Sequence, residues 1–347
     1  MLRVYTDFNL LGEGEYPCVL LLPFVRDVTT HAEDADVDAN RFSEYFKAGV
    51  SFFEIVNCIE DAQLCVMPME YSHEHAASEP VLNFVAEAKR NGTPCLVFYN
   101  NDDNSDIRLQ DVIVFRTSFY RSSKRNYEFA YPAWSVDFSM QYTADGFIPL
   151  QKEARPRISY CGYVDYSSGW CHYLNHLLKR LSGRYRAGYG TRIRGRAVRS
   201  LVGSSGVDTE FIIRNGFWAK GLDDKVQART EYAENMLSSP YGLVVRGAGN
   251  FSYRLYELMS AGRIPVFVDT DCVLPFEDQI DWDSFVLRVP VSDISRIDEV
   301  LLDFHYKISS SDFIERQRLS RLCYEEWIRP EAFFRQLRGL LEHQNIL

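Results

Sequence analysis

Several features that would assign this sequence to a particular class of protein are missing from it. Its longest apolar run, Cys18 to Phe24, is far shorter than the roughly 20 residues that a membrane-spanning helix needs. The N-terminal residues pass directly into a strand-like segment, so no secretory signal is expected. No CxxC pair occurs among the eight cysteines, and their scatter through apolar segments favours buried free thiols in a reducing cytosol.

Basic residues are also comparatively few. The chain has 38 Lys and Arg against 48 Asp and Glu, which gives a formal net charge of -10. Non-specific binding of nucleic acid requires a basic surface, so nucleic acid is not an expected partner. Hydrophobic residues make up 46% of the 347 positions, which suffices for an ordinary globular core divided between about two domains.

Short apolar segments alternate with helical patterns along the first half of the chain. We predict an amphipathic helix over 79–91, with Pro80 in its first turn and Gly92 just past its end. Such an alternation predicts a mostly parallel sheet covered by helices. The strands predicted here are Val19–Phe24, Leu64–Met67, Thr93–Tyr99 and Asp111–Phe115.

The same alternation continues in the second half and ends in helices. The strands predicted there are Arg157–Cys161, Thr209–Ile213, Tyr241–Val245 and Ile264–Val268, and the helices are Leu174–Leu181, Ile294–Tyr306, Ser311–Trp327 and Pro330–His343. A polar segment near residues 151–156 marks a boundary, so we predict an N-terminal domain over 1–152 and a C-terminal domain over 153–325. Residues 326–347 are predicted as a helix that packs back on the N-terminal domain. The predicted fold class is α/β, with two Rossmann-like domains facing a cleft.

One loop of the C-terminal domain has the composition of a phosphate site. Gly247 and Gly249 follow the predicted strand Tyr241–Val245 and permit unusual backbone angles or close approach of a ligand. Asn250 or Ser252 is suited to cap the helix that follows. The free amide groups and the positive dipole end of that helix favour an anion.

Charged side chains bracket the start of this helix. Arg246 and Arg254 are predicted to donate charge-assisted hydrogen bonds to a diphosphate. Glu257, three residues after Arg254, is predicted to accept from ribose hydroxyls. The alternative is a plain surface ion pair between Arg254 and Glu257, which contributes little energy. Gly262 has the position of a left-handed C-cap before the next strand.

An ordered series of motifs runs through this region and resembles the exostosin-like glycosyltransferases. The resemblance is strong over residues 232–294 and weaker over most of the remaining chain. Tyr253 lies within its second motif. The motifs are Arg246–Gly249 (RGAG), Ser252–Glu257 (SYRLYE), Ala261–Val266 (AGRIPV), Leu274–Phe276 (LPF) and Asp281–Phe285 (DWDSF).

The resemblance implies a GT-B fold in which the C-terminal domain holds a nucleotide-sugar donor, with a UDP-sugar favoured, and in which transfer inverts the anomeric carbon. It also implies metal-independent transfer, so no cofactor is expected. The expected acceptor is an oligosaccharide or a lipid-linked glycan of surface polysaccharide biosynthesis. Eukaryotic members usually carry an N-terminal membrane anchor, and none is expected from this sequence. We therefore expect a cytoplasmic enzyme, with peripheral contact at the inner face of the membrane.

Inverting transfer usually needs a carboxylate base, which we expect on an N-domain loop after a strand. Glu70 is the first candidate, and His73 and Asp102 are the next, with Asp7 also in a suitable position. The alternative for each is an ordinary loop residue or a helix cap. A zinc site at His73, His75 and Cys65 is not expected, because the spacing matches no common ligand pattern.

Acidic pairs with DxD spacing occur three times. They are Asp36 with Asp38, Asp269 with Asp271 and Asp281 with Asp283. The first lies in a long acidic loop, and the other two are assigned to packing and capping in the donor domain. No metal site is predicted.

A cluster of arginines spans residues 184–199. Arg194 and Arg196 best match a basic helix start in the family and are predicted to contact the donor diphosphate or an anionic acceptor. Two other interpretations stay open: contact with anionic lipid near a membrane-bound acceptor, and a solvated basic helix face.

Two alternatives to the leading function are retained. The tract Phe119–Trp134 resembles fucosyltransferases that use a GDP-sugar such as GDP-fucose. A non-catalytic protein that binds glycan or nucleotide and retains the fold is the other alternative, because a fold does not determine a function.

Overall fold

The computed structural model describes residues 1–18, 20–25, 43–164, 189–216, 222–344 and 346. The predicted helix Leu174–Leu181, the pair Asp36 and Asp38, and the arginines before residue 189 lie outside these residues. The chain forms two compact units. The first unit comprises 1–134, 273–275 and 325–347, and the second comprises 135–272 and 276–324.

The first crossing between the units lies at residues 134 and 135, earlier than the boundary at 152 and 153 drawn from the sequence. Hydrogen bonds explain the difference. The amide of Phe138 donates to Ser260 Oγ at 3.0 Å, and Ser139 Oγ donates to the Ser260 carbonyl at 2.9 Å. These bonds attach the segment after Trp134 to the second unit.

The first unit contains a six-stranded sheet in the order β2-β1-β3-β4-β5-β6. All neighbouring strands are parallel. The order reverses between β1 and β3, so this pair forms the switch point of the sheet. The strands are β1 (Leu2–Tyr5), β2 (Phe53–Ile55), β3 (Leu64–Val66), β4 (Cys95–Tyr99), β5 (Ile113–Arg116) and β6 (Glu128–Ala130).

One strand prediction in this unit is wrong. Leu22–Phe24 forms a single 3-10 turn with Pro23 near its start, where the sequence predicted a strand over Val19–Phe24. Pro23 has no amide hydrogen for a sheet ladder. Leu20 and Leu21 are fully buried, so the apolar run reflects burial in the core and not strand formation.

The helices of this unit within the described ranges are α1 (Ser43–Phe52), α2 (Glu79–Arg90) and the C-terminal α9 (Pro330–His343). Helix α9 is amphipathic, and its buried face carries Phe333 and Phe334. The Phe334 ring packs edge-on against Phe53 of β2 at 5.8 Å. The C-terminal helix therefore completes the core of the first unit.

The second unit contains a five-stranded sheet in the order β11-β10-β9-β7-β8, again with every pair parallel. The order reverses between β7 and β9, so ligand binding is expected at the carboxyl ends of these two strands. The two parallel α/β units confirm the predicted α/β class. The strands are β7 (Arg157–Tyr163), β8 (Asp208–Arg214), β9 (Tyr241–Val244), β10 (Ile264–Asp269) and β11 (Leu287–Pro290).

The helices of the second unit that the structure describes are α3 (Phe138–Tyr142), α4 (Tyr189–Gly203), α5 (Leu222–Ser238), α6 (Tyr253–Ser260), α7 (Ile297–Lys307) and α8 (Ser310–Cys323). Helix α6 ends at Gly262, whose φ of 62° confirms the predicted left-handed cap. A Cβ at Gly242 would lie 2.3 Å from a methyl carbon of Leu258, so β9 and α6 pack in close contact. None of the helices in the described ranges is long and apolar enough to cross a membrane.

Candidate active site

The loop between β9 and α6 follows the switch point of the second sheet. Arg246 is 2% exposed, and its guanidinium donates to Asn250 Oδ1 at 3.1 Å and to the Ala248 carbonyl at 2.8 Å. The amide of Gly247 donates to the Phe251 carbonyl at 3.1 Å. Arg246 thus holds its own loop in shape at the carboxyl end of β9.

Asn250 is an internal support of this loop and not the helix cap that the sequence suggested. Its Oδ1 also accepts from Thr270 Oγ1 at 2.6 Å, and its Nδ2 donates to the Asp271 carbonyl at 3.1 Å. The side chain therefore joins the loop after β9 to the end of β10. Ser252 occupies the N-cap position of α6, but its side chain makes no capping bond.

The start of α6 retains the character of an anion site. The Ser252 side chain makes no hydrogen bond to the first amide groups of α6, so these groups can donate to an anion. Tyr253 is half-buried at the first position, and its ring packs edge-on against Phe251 at 5.6 Å. The helix dipole and these amides favour negative charge here.

The glycines of the loop do not have the backbone angles expected from the sequence. Neither Gly247 nor Gly249 is among the described residues with positive φ, so the expected unusual backbone angles do not occur. A Cβ at Gly247 would lie 3.8 Å from Nη2 of Arg194 on α4. A Cβ at Gly190, in the first turn of α4, would lie 2.1 Å from the Gly247 carbonyl oxygen. Helix α4 therefore starts in direct contact with this loop.

The two arginines predicted on α4 have different surroundings. Arg194 is half-buried, lies beside Gly247 and donates to the Tyr163 carbonyl at the end of β7. Arg196 is exposed, and its guanidinium donates to Ser295 Oγ at 2.9 Å. Arg194 is thus next to the loop, whereas the geometry offers no support for the donor role predicted for Arg196.

Arg254 is the most informative side chain of the site. It is 6% exposed, and its Nη2 donates to Ser159 Oγ at 3.2 Å and to Asn235 Oδ1 at 3.4 Å. Its Nε and Nη1 are buried and have no hydrogen-bond partner among the described residues. No carboxylate among the described residues forms an ion pair with Arg254, and the nearby Glu257 pairs with Arg229. A buried guanidinium without a counter-ion is costly, and an anionic ligand would offset that cost.

Glu257 has other partners than predicted. It is 5% exposed, one carboxylate oxygen accepts from the Tyr232 hydroxyl, and the other lies 3.5 Å from Nη1 of Arg229. The alternative of an exposed Arg254–Glu257 pair is wrong, because both side chains are buried and Glu257 pairs with Arg229. The ribose role of Glu257 stays a prediction.

In the first unit, the loops after β3 and β4 lie side by side because these strands are neighbours. Glu70 Oε2 accepts from the Asn100 amide at 3.0 Å, which links the two loops. Burial raises the pKa of the Glu70 carboxyl, although this hydrogen bond opposes the shift. A carboxylate with a raised pKa, near the switch point of a parallel sheet, has the properties expected of a general base.

His73 is held by both ring nitrogens. Tyr71 accepts from the Arg108 amide at 2.9 Å, so its hydroxyl hydrogen points to His73 Nδ1 at 3.1 Å. His73 Nε2 then donates towards Ser105 Oγ at 2.6 Å and Asp103 Oδ2 at 3.3 Å. With neither nitrogen left to accept a substrate proton, His73 acts here as a link between loops.

Asp103 anchors this link. Burial raises its pKa, but hydrogen bonds from Ser105, Tyr99 and His73 outweigh that effect and lower the pKa to about 2. The carboxylate therefore stays ionised. Asp102, predicted as a base candidate, is exposed on the same loop. Asp7 caps the 3-10 turn Phe8–Leu10 by accepting from the Asn9 amide at 3.0 Å.

Metal ligands are not grouped in the described ranges: no three His, Cys, Asp or Glu side chains there are close enough together to hold an ion. His75, considered with His73 for zinc, contacts Glu15 at 2.9 Å instead. Metal independence stays a prediction.

Sequence reasoning missed the side chains that hold Arg254, all of which come from other elements. The Arg254 guanidinium carbon lies 5.7 Å from the Tyr160 ring centre on β7 and 5.1 Å from that of Tyr232 on α5. Ser159 and Asn235 come from the same two elements. Only the place of Ser159 and Tyr160 on a predicted strand of the donor domain could have pointed to them.

Comparison with known proteins agrees with the motif series. Residues 183–304 match the Exostosin GT47 domain model. This part of the chain is therefore similar to an Exostosin GT47 domain. The matched range contains all of the predicted donor-binding residues from Arg194 to Glu257, and the family resemblance predicted from the sequence is confirmed.

The individual relatives align over less than half of this chain. An Exostosin-1 homolog of Caenorhabditis elegans is 29% identical over 152 residues, which cover 42% of this chain and 39% of that protein. A probable glucuronosyltransferase of Oryza sativa subsp. japonica is 31% identical over 164 residues, covering 41% and 36%. A probable beta-1,4-xylosyltransferase IRX10 of Arabidopsis thaliana is 33% identical over 90 residues, covering 26% and 21%. The chain thus spans well under half the length of these relatives.

Among solved structures, the pneumococcal O-GlcNAc transferase GtfA in complex with UDP and GlcNAc covers 88% of this chain and 60% of its own, at 10% identity and a TM-score of 0.31.

Proposed function

We propose that this protein is a glycosyltransferase that moves a sugar from a nucleotide-sugar donor to a glycan or glycolipid acceptor, with inversion at the anomeric carbon. The observation that carries the proposal is Arg254, a buried guanidinium at the start of α6 whose Nε and Nη1 have no partner among the described residues. The GT47 domain match and relatives named as glucuronosyl- and xylosyltransferases support the same reaction class.

The leaving group of this reaction is a nucleoside diphosphate, which gains negative charge as the glycosidic bond breaks. Arg254 and the amide groups at the start of α6 stabilise that charge in the proposal. Arg194, which contacts the same loop from α4, adds a further guanidinium. These groups stabilise the charge that a metal cation would otherwise stabilise, so we propose that transfer needs no metal. The favoured donor is a UDP-sugar.

The acceptor has to be deprotonated as it attacks. In the proposal, Glu70 takes the proton of the acceptor hydroxyl, the hydroxyl oxygen bonds to the anomeric carbon, and the bond from that carbon to the diphosphate oxygen breaks. Attack from the face opposite the diphosphate inverts the configuration. The raised pKa of Glu70 suits it to hold this proton.

The biological setting of the reaction is proposed from the resemblance and the composition. We assign the acceptor to surface polysaccharide assembly and the enzyme to the cytoplasm, with peripheral contact at the inner face of the membrane.

Binding and turnover of nucleotide sugars test this function. Purified protein is titrated with UDP, GDP and CMP by calorimetry, and release of nucleoside diphosphate is followed with UDP-glucose, UDP-glucuronic acid, UDP-GlcNAc and GDP-fucose. We expect binding of UDP and loss of that binding in Arg254→Met. The matched control is Arg296→Met, because Arg296 is an exposed arginine of the same unit that pairs with Glu299.

The proposal is contradicted if the purified protein binds none of the three nucleotides. Equal affinity of Arg254→Met and wild type would remove the observation on which the proposal rests. Binding of GDP in preference to UDP would instead favour the fucosyltransferase-like alternative.

A further inference from the structure

Arg254 contacts two aromatic rings and two neutral hydrogen-bond acceptors. Its guanidinium carbon lies over the rings of Tyr160 and Tyr232, at 5.7 and 5.1 Å from the ring centres. Its Nη2 is fixed by Ser159 and Asn235. The two donor positions without a partner among the described residues are Nε and Nη1, and each can donate a hydrogen bond to a phosphate oxygen.

Tyr232 is the part of this enclosure that contacts Glu257. The hydroxyl of Tyr232 donates to the Glu257 carboxylate, and the second oxygen of Glu257 lies 3.5 Å from Arg229. Burial, with the neighbouring Glu257 carboxylate, raises the pKa of Tyr232, so the tyrosine stays a donor. Arg229 in turn stacks on the Tyr232 ring at 5.3 Å.

Glu257 is thus engaged on both carboxylate oxygens by groups of the protein. Its charge lies next to the tyrosine that contacts Arg254, and it forms no ion pair with Arg254 itself. A change at Glu257 therefore reaches Arg254 through the Tyr232 ring.

We propose that Glu257 is a positioning residue that acts through Tyr232 and Arg254 on the diphosphate of the donor, and that it does not read the ribose. The inference rests on the proposed function, since it assigns the phosphate-binding part of that same site. It replaces the ribose contact expected from the position of Glu257 one turn after Arg254.

The test compares two ligands that differ only in the ribose hydroxyls. UDP and 2′,3′-dideoxy-UDP are titrated by calorimetry into wild type, Glu257→Gln, Tyr232→Phe and the double variant, with GDP and its dideoxy analogue as a second pair. We expect each single variant to weaken UDP binding by roughly tenfold, the loss typical of a hydrogen bond to a charged group. The same factor is expected for the dideoxy ligand.

The double variant is expected to bind UDP no more weakly than the weaker-binding single variant, because both residues act on Arg254 through the same series of contacts. The controls are Glu299→Gln and Tyr306→Phe, two exposed residues of the same unit, for which affinity should stay at the wild-type value. Thermal unfolding verifies that each variant is folded. If Glu257→Gln fails to fold, Tyr232→Phe alone decides, since it keeps the ring and removes only the hydroxyl.

Two results overturn the inference. One is a Glu257→Gln effect that disappears with the dideoxy ligand, which would assign Glu257 to the ribose. The other is wild-type affinity in Tyr232→Phe. Failure of the proposed function is distinguishable, because wild type would then bind none of the four ligands.

Discussion

Gly190 on helix α4 lies so close to the Gly247 carbonyl that a Cβ on Gly190 would be 2.1 Å from that oxygen. Real Cβ atoms do not approach a backbone oxygen so closely, so any larger residue must push α4 away from the loop that precedes α6. The two segments are far apart in the sequence, and their contact brings Arg194 next to the loop between β9 and α6.

From this contact we expect Gly190→Ala to lower the free energy of unfolding by about 1–3 kcal/mol, the usual cost of overpacking. Binding of nucleotide should weaken in the same variant because the loop shifts. Chemical denaturation and calorimetry measure the two effects. Gly203→Ala, on the same helix with open space around it, is the control and should change neither quantity appreciably.

Arg254→Met should make the ligand-free protein more stable. The substitution removes a buried charge that has no carboxylate partner among the described residues and keeps an unbranched side chain of similar length. We expect a gain of about 1 kcal/mol or more in the free energy of unfolding. Denaturant titration without nucleotide checks this. A loss of comparable size would show that Ser159 and Asn235 depend on Arg254 for stability.

Glu70→Gln should abolish transfer while leaving donor binding intact. Loss of a general base lowers kcat by about a hundredfold or more, whereas the Kd for UDP should stay unchanged. The base must be ionised to act, so the wild-type rate should fall as pH drops through the raised pKa of Glu70. Rate profiles against pH test this, with His73→Gln as the comparison.

The His73→Gln profile is expected to keep its acid limb, because both nitrogens of His73 are engaged by Tyr71, Ser105 and Asp103. Loss of that limb would assign the base to His73, and an unchanged kcat in Glu70→Gln would exclude Glu70 from the role.

His305 should make the stability of the second unit depend on pH. It is 1% exposed, Nδ1 contacts the Tyr241 hydroxyl at 3.1 Å, and Nε2 donates to the Glu153 carbonyl at 3.0 Å. Burial lowers its pKa below the ordinary value of 6.5. A depressed pKa means that the unfolded chain binds the proton first, so stability is present above pH 6.5 and is lost as the pH falls through the folded value.

The measurement is Tm between pH 8 and pH 5. Wild type should lose more Tm over this range than His305→Gln does. His343→Gln, a change at an exposed histidine of the first unit, should reproduce the wild-type curve. Parallel curves for wild type and His305→Gln would contradict the assignment.

The regular elements near the site were predictable because their signals are local. Buried parallel strands appear as short apolar runs, and this identified Cys95–Tyr99 and Ile264–Asp269. Helix ends follow from Pro and Gly positions, as at Pro80 and Gly92 around the helix Glu79–Arg90. The run at Val19–Phe24 misled because apolar character alone does not distinguish a strand from a buried turn with proline.

The candidate site was predictable only where its residues are neighbours in sequence. Arg246 and Arg254 were found because they surround a glycine loop and a helix start. The partners of Arg254 come from β7 and α5, and nothing in their local sequence distinguishes them from core residues. The partner of Glu257 could not be predicted either, because helix spacing suggested Arg254 and the contact is with Tyr232 from a different helix.

The return of helix α9 to the first unit has a consequence for synthesis on the ribosome. Phe333 and Phe334 pack with Trp134 and Phe53 in the core of that unit, yet they are made only after the whole second unit. Domains generally fold from the N-terminus as the chain emerges. Residues 1–134 therefore keep an exposed aromatic surface until α9 has been synthesised, whereas the second unit can finish folding earlier.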